Sequence, residues 1–199
     1  MLVRTTLALA LALAGPAVGQ EIACEGAFAI DSSEARLIEI YGADNVVTGM
    51  VSGPEGSEML ATTVFPDNPK KVLQFVWWDE QSLSDPSYIE LPDKAVAPGG
   101  LRTGMSLAEV EAINGEPFTL LGFGWDYGGA ASFESGALSN LPGDCMLSVN
   151  FYYYGTAPEG VDTLPAMGDK ELSSDDPLLA QMQIELDAIS VGYPHPDFR

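Results

Sequence analysis

Ser33-Glu-Ala-Arg-Leu-Ile-Glu-Ile-Tyr-Gly42 lies without a gap on Ser106-Leu-Ala-Glu-Val-Glu-Ala-Ile-Asn-Gly115. The leading serines and closing glycines coincide, as do Ala35 with Ala108 and Ile40 with Ile113, while Leu37 and Val110 match in character. Each stretch reads as a short amphipathic helix. Its serine is an N-cap whose oxygen can accept from an orphan backbone N–H of the first turn. Glu109 stands three residues after Ser106, the spacing of a capping box. Helical spacing groups Ala35, Leu37 and Ile40 near one face, and likewise Ala108, Val110 and Ile113. Gly42 and Gly115 are expected to end the helices in the left-handed conformation.

Outward from each helix come runs that read as strands: residues 45–51, 58–65, 71–78 and 87–91 in the first half, and 118–123, 130–134, 145–154 and 184–193 in the second. Pro66-Asp-Asn-Pro-Lys70 and Leu141-Pro-Gly-Asp144 carry turn chemistry between apolar runs. Val149, Phe151 and Tyr153 alternate with Asn150, Tyr152 and Tyr154, the period of a half-buried strand. Residues 155–176 are rich in Pro, Gly, Asp and Ser and read as a long surface loop, with a turn of helix near Leu178. The fold class is therefore α+β. Two similar helix-then-four-strand halves, residues 20–95 and 96–199, form a mostly antiparallel sheet with the helices on one face. Residues 92–100 connect them.

The chain begins with a different signal. Arg4 is followed by an apolar Leu/Ala run, then Pro16 and a small-residue site at Ala17-Val-Gly19, the order of a secretory signal peptide over residues 1–19. The run is about 11 residues, against roughly 20 for a membrane span. Glu21 stands where a lipidation box before Cys24 needs an apolar residue, so no stable membrane anchor is expected. The address implied is the periplasm or the exterior.

Asp and Glu number 29 against 8 Lys and Arg, for a net charge of −21. That field repels nucleic acid and anionic lipid and favours cations or a basic protein surface. In an oxidising compartment Cys24 and Cys145 read first as a disulfide closing about 120 residues, with two free thiols as the alternative. No CxxC occurs, and the sole histidine, His195, lies near the C-terminus. No metal or cofactor is assigned.

Gly104-Met105-Ser106-x-x-Glu109-Val110 followed by Gly115-x-Pro117 resembles the core signature of the SmpA/OmlA outer-membrane lipoproteins. The tandem fold of the β-lactamase inhibitor proteins, two helix-then-sheet repeats, is similar to the duplicated organisation above. The resemblance implies a helix-plus-sheet module that binds another protein or an envelope component.

The most unusual stretch is Gly122-Phe-Gly-Trp-Asp-Tyr-Gly-Gly129. Its glycines permit close backbone approach, and Trp125 and Tyr127, with Asp126 between them, offer the large amphipathic surfaces of a recognition site. The competing reading is a twisted hairpin whose aromatics fill the core. Trp77 and Trp78 are adjacent on a strand, so one should be buried and the other is free to join a contact patch. Carboxylate pairs at Asp79-Glu80, Asp175-Asp176 and Glu109/Glu111 suit hydrolysis only if a cleft brings two acids together. No Gly-x-Ser-x-Gly elbow or EF-hand loop occurs, and no catalytic residue is assigned. Binding to an envelope protein or basic surface is the expected function. A carboxylate-pair hydrolase and a small-ligand or calcium binder are the alternatives.

Overall fold

A computed structural model describes residues 22–53 and 56–199; the expected signal peptide lies outside the described residues. The two aligned stretches form α1 (Glu34–Tyr41) and α2 (Leu107–Asn114). Ser33 accepts from the Arg36 amide at 3.3 Å. Ser106 completes a capping box, accepting from the Glu109 amide while its own amide donates to the Glu109 carboxylate at 2.8 Å. Two orphan donors are thereby satisfied reciprocally.

Their inward faces differ in part from the expected ones. In α1 only Leu37 is fully buried, with Tyr41 one turn on packing edge-to-face on Phe65; Ala35 is exposed and Ile40 is 49% exposed. In α2 Leu107, Val110 and Asn114 are buried and Ile113 packs half-buried against the core, as expected of Val110 and Ile113, while Ala108 faces solvent. The i, i+3, i+4 and i+7 rows set each face, and the expected grouping mixed two of those rows. Gly115 takes the left-handed cap with φ 83°, whereas Gly42 pairs φ 85° with an extended ψ because the chain turns at once into a 3-10 turn at Ala43–Asn45.

The described residues contain nine strands: β1 (Val46–Ser52), β2 (Glu58–Val64), β3 (Leu73–Asp79), β4 (Ser84–Glu90), β5 (Thr119–Leu121), β6 (Ala130–Ser132), β7 (Met146–Tyr153), β8 (Glu171–Ser173) and β9 (Ile184–Gly192). They form one antiparallel sheet in the order β1-β2-β3-β4-β9-β7-β6-β5-β8. The helix-plus-sheet class holds, but the sheet dominates: β4 pairs with β9 through Tyr88–Gly192 and Glu90–Ser190, so hydrogen bonding runs unbroken across the molecule. Strand β8 lies inside the stretch expected to be loop. At three residues it is too short for any periodicity to register, and pairing with β5 makes it an edge.

The cores occupy one face. Leu37 clusters with Val64, Phe75, Trp77 and Ile89; Val110 clusters with Leu120, Val149, Phe151 and Val191. Ile89 stands directly opposite Val191 across the β4–β9 pair, so both clusters and both helices share that side. Leu91 packs against both clusters. Each fully buried Leu, Ile or Phe contributes about 1.5–3 kcal/mol of transfer free energy.

Cys24 and Cys145 form a disulfide between residues 121 apart in sequence, with Cα atoms 6.1 Å apart. Gly143 makes room for it: at φ +87° a Cβ there would lie 2.5 Å from the Cys24 carbonyl oxygen. Among the described residues no helix is long and apolar enough to cross a membrane.

Candidate functional site

Strand alternation puts every second residue on the side away from the helices. Following the registers, one row of that side reads Thr63, Gln74, Glu90, Ser190, Ser148, Ser132, Thr119 and Ser173, crossing every strand from β2 to β8. All are partly or fully exposed. Neither core cluster and neither helix lies on this side, and along this row it shows the polar-out alternation of a solvated sheet face; the next row, Ala61, Val76, Tyr88, Gly192 and Met146, is mostly apolar, with Ala61 and Val76 buried. A shallow depression of about 350 Å³ lies across the face, lined by Tyr88, Glu90, Asp93, Ser148, Asn150, Asp187 and Ser190 among others.

Aromatic side chains gather at one end of the face. Tyr152 and Tyr154 project from the end of β7, 52% and 48% exposed, with ring centroids 4.9 Å apart edge-to-face. Tyr153 between them turns inward against Phe123, 5.9 Å away. The segment 122–129 comes to the same place. The Asn150 side chain, on the open face, donates to the Gly128 carbonyl at 3.1 Å. Gly129 lies so close to β7 that a Cβ there would sit 1.8 Å from the Phe151 carbonyl oxygen, and its φ is +80°. Only glycine fits that position.

The segment is held from both sides. The Phe123 amide donates to Ala166 and the Gly168 amide donates back to Phe123. Trp125 is half-buried, its indole N–H donating to the Gly122 carbonyl at 2.8 Å. Tyr127 packs edge-on against Trp125 at 5.4 Å and is 48% exposed; Asp126 is exposed between them. A cavity of about 420 Å³ between this segment and β7 is lined by Phe123, Trp125, Tyr152 and Met167 among others. Partial desolvation, then the carboxylates of Glu185 and Asp187, raises Tyr154 above the ordinary tyrosine range, so acids border the aromatic group.

The two tryptophans of β3 go elsewhere. Trp77 is 3% exposed, stacked on Phe75 at 5.6 Å, with its indole N–H donating to Thr62 at 2.9 Å. Trp78 is 40% exposed, but it donates to the Tyr193 carbonyl and packs edge-on against His195. The registers set it near Met146, at the opposite end of β7 from Tyr152. Trp125, Asp126 and Tyr127 thus share a neighbourhood that Trp77 and Trp78 do not. Tyr152 and Tyr154 were not singled out from the sequence, although the alternation through residues 149–154 already put them opposite the core.

Five of the six acids expected to pair are engaged locally. Asp79 accepts from the Ser82 and Gln81 amides; the Ser82 side chain first, then these two amides, hold its carboxyl below the usual range. Glu109 belongs to the capping box, Glu111 accepts from Ser174, Asp175 from Ser173 and Asp176 from the Leu178 amide. Among the described residues no group of three or more His, Cys, Asp or Glu could hold a metal ion. No protein-family model, curated protein or solved structure matches the chain.

Proposed function

We propose that the chain is an exported, non-catalytic binding module. Its open sheet face, bordered by Trp125, Tyr127, Tyr152 and Tyr154, docks on a basic surface of an envelope protein. One observation carries this reading: the exposed Tyr127, Tyr152 and Tyr154, with the half-buried Trp125, lie at the border of a sheet face crossed by a row of serine, threonine, glutamine and glutamate. Tyrosine supplies large contact area at low entropic cost and serine supplies adaptable hydrogen bonding, the pairing that adaptable binding loops use against protein surfaces. The net charge of −21 selects the sign of the partner. Export of the chain through residues 1–19 accords with a disulfide, since such bridges persist in oxidising compartments. The resemblance to SmpA/OmlA modules, and a reading of residues 20–95 and 96–199 as two related helix-plus-sheet units, agree with binding in the envelope.

The test is a photo-crosslinking residue placed at Tyr152 or Tyr127, with Glu39 on α1 as the control position, in cells that export the chain. A discrete protein adduct at Tyr152 and Tyr127, absent at Glu39, is the expected result. Adducts of equal yield at Glu39, or none at the two tyrosines, would remove the open face as the docking surface.

A further inference from the structure

The two edges of the sheet are unlike. Strand β8 is three residues long, carries Glu171, and is flanked by Asp169, Lys170 and Asp175. Short, charged edges of that kind resist further strand pairing. Strand β1 has seven residues, Val-Val-Thr-Gly-Met-Val-Ser, with no charge and no proline. Its backbone polarity follows from its ladder. The Phe65 amide donates to the Asn45 carbonyl at 2.8 Å and the Gly53 amide to the Ser57 carbonyl at 2.7 Å, so odd-numbered residues face β2. Thr48, Met50 and Ser52 direct their N–H and C=O groups away from the sheet. The strand is also held in place: the Thr48 hydroxyl contacts Glu34 of α1 at 2.5 Å and Thr62 of β2 at 2.6 Å. Met50 and Val47, 59% and 54% exposed, stand on its two faces.

We propose that β1 is a strand-addition site for an extended, lysine- or arginine-bearing segment of a partner protein. Backbone hydrogen bonds to Thr48, Met50 and Ser52 give the affinity, and alternate side chains of the segment lie beside Val47 and Met50. Charge decides the occupant. Acids border the strand at Asp44, at Glu34 and at Glu58, which is paired with Ser52, within a chain of net charge −21. A second copy brings the same charge to the edge and is repelled, whereas a basic segment is drawn to it. This edge lies at the far end of the sheet from β8 and is separate from the aromatic border on β7.

The experiment uses the full mature chain and a blocked nine-residue peptide of alternating lysine and valine. A control peptide of equal charge is N-methylated at every backbone amide, so that neither of its edges can donate to a strand. The first peptide is expected to bind at least tenfold more tightly than the control, and to slow hydrogen exchange at the Thr48, Met50 and Ser52 amides. Met50→Pro removes an outward N–H without touching the β1–β2 ladder, and should lower that affinity at least tenfold. Equal binding of the two peptides, or binding unaffected by Met50→Pro, overturns the assignment. So does a wild-type chain that sediments as a dimer with those amides already protected. The peptide comparison stands even if the proline variant does not fold, and neither arm depends on the tyrosines of β7.

Discussion

Replacing both cysteines, as Cys24→Ala/Cys145→Ala, removes a tie whose worth follows from its position in the chain. The bridge closes a loop of 121 residues. In the chain-entropy relation that loop corresponds to about 16 cal/mol/K, or about 5 kcal/mol at 25 °C. For a chain of this size the melting temperature falls about 2–4 °C per kcal/mol, so a loss of about 10–20 °C is expected. With a urea slope of about 2–3 kcal/mol/M, the midpoint should fall by about 2 M. The change acts mainly on the unfolded chain, so the native contacts around the bridge should survive. The Ile22 amide, which donates to the Val96 carbonyl at 2.7 Å, reports this directly. Equilibrium urea unfolding followed by tryptophan fluorescence measures the shift, and hydrogen exchange at Ile22 measures the local contact. A midpoint that moves by less than about 0.5 M would refute the loop-entropy reasoning. Loss of Ile22 protection under native conditions would show that the bridge acts by holding native structure instead.

Three further outcomes follow from single side chains. Tyr193 is buried and its hydroxyl donates to the Phe28 carbonyl; burial, the largest influence, pushes its pKa up to about 12. A raised folded pKa contributes stability that is complete below the ordinary tyrosine pKa of about 10 and is lost as pH rises towards 12; Tyr193→Phe should cost about 1–3 kcal/mol at neutral pH and flatten the alkaline branch of the stability curve, read by urea midpoints across that range. Hydrogen bonds from the Ser106 amide and then its hydroxyl lower the Glu109 pKa. Stability from a depressed carboxylate is present above its unfolded pKa and lost as pH falls through the folded one, so Glu109→Gln should lower the melting temperature at neutral pH and narrow its difference from wild type in acid. Gly129→Ala would drive a methyl group into the Phe151 carbonyl and should destabilise by about 3 kcal/mol, a loss that thermal unfolding would detect.

The helices and long strands were legible because they repeat strong local signals. The Ser106–Glu109 box, the closing glycines and the alternation through residues 149–154 each state a backbone requirement within a few residues. The inward faces of the helices were less legible, since a helix of two turns offers several rows and only packing chooses between them. Leu37 with Tyr41 won over Leu37 with Ile40 because Phe65 receives the Tyr41 ring. Strand β8 had no readable period and owes its form to β5. The neighbourhood of Trp125 was legible as unusual but not as a place. The Asn150 contact to Gly128 and the close approach of Gly129 to Phe151 join segments more than twenty residues apart, and no local pattern encodes that meeting. Trp77 and Trp78 illustrate the same limit. Alternation separates their faces, whereas the register places Trp78 at the Met146 end of the sheet, away from Tyr152.

The most direct test of the open-face assignment is a binding titration with the protein captured at Tyr152, comparing wild type with a Tyr127→Ser/Tyr152→Ser variant of unchanged melting temperature. Removing these two aromatic contacts should cost at least about 2 kcal/mol, a rise in Kd of about 30-fold, with further weakening as salt screens the acidic face. A Kd equal to that of wild type, with no salt dependence, would contradict it.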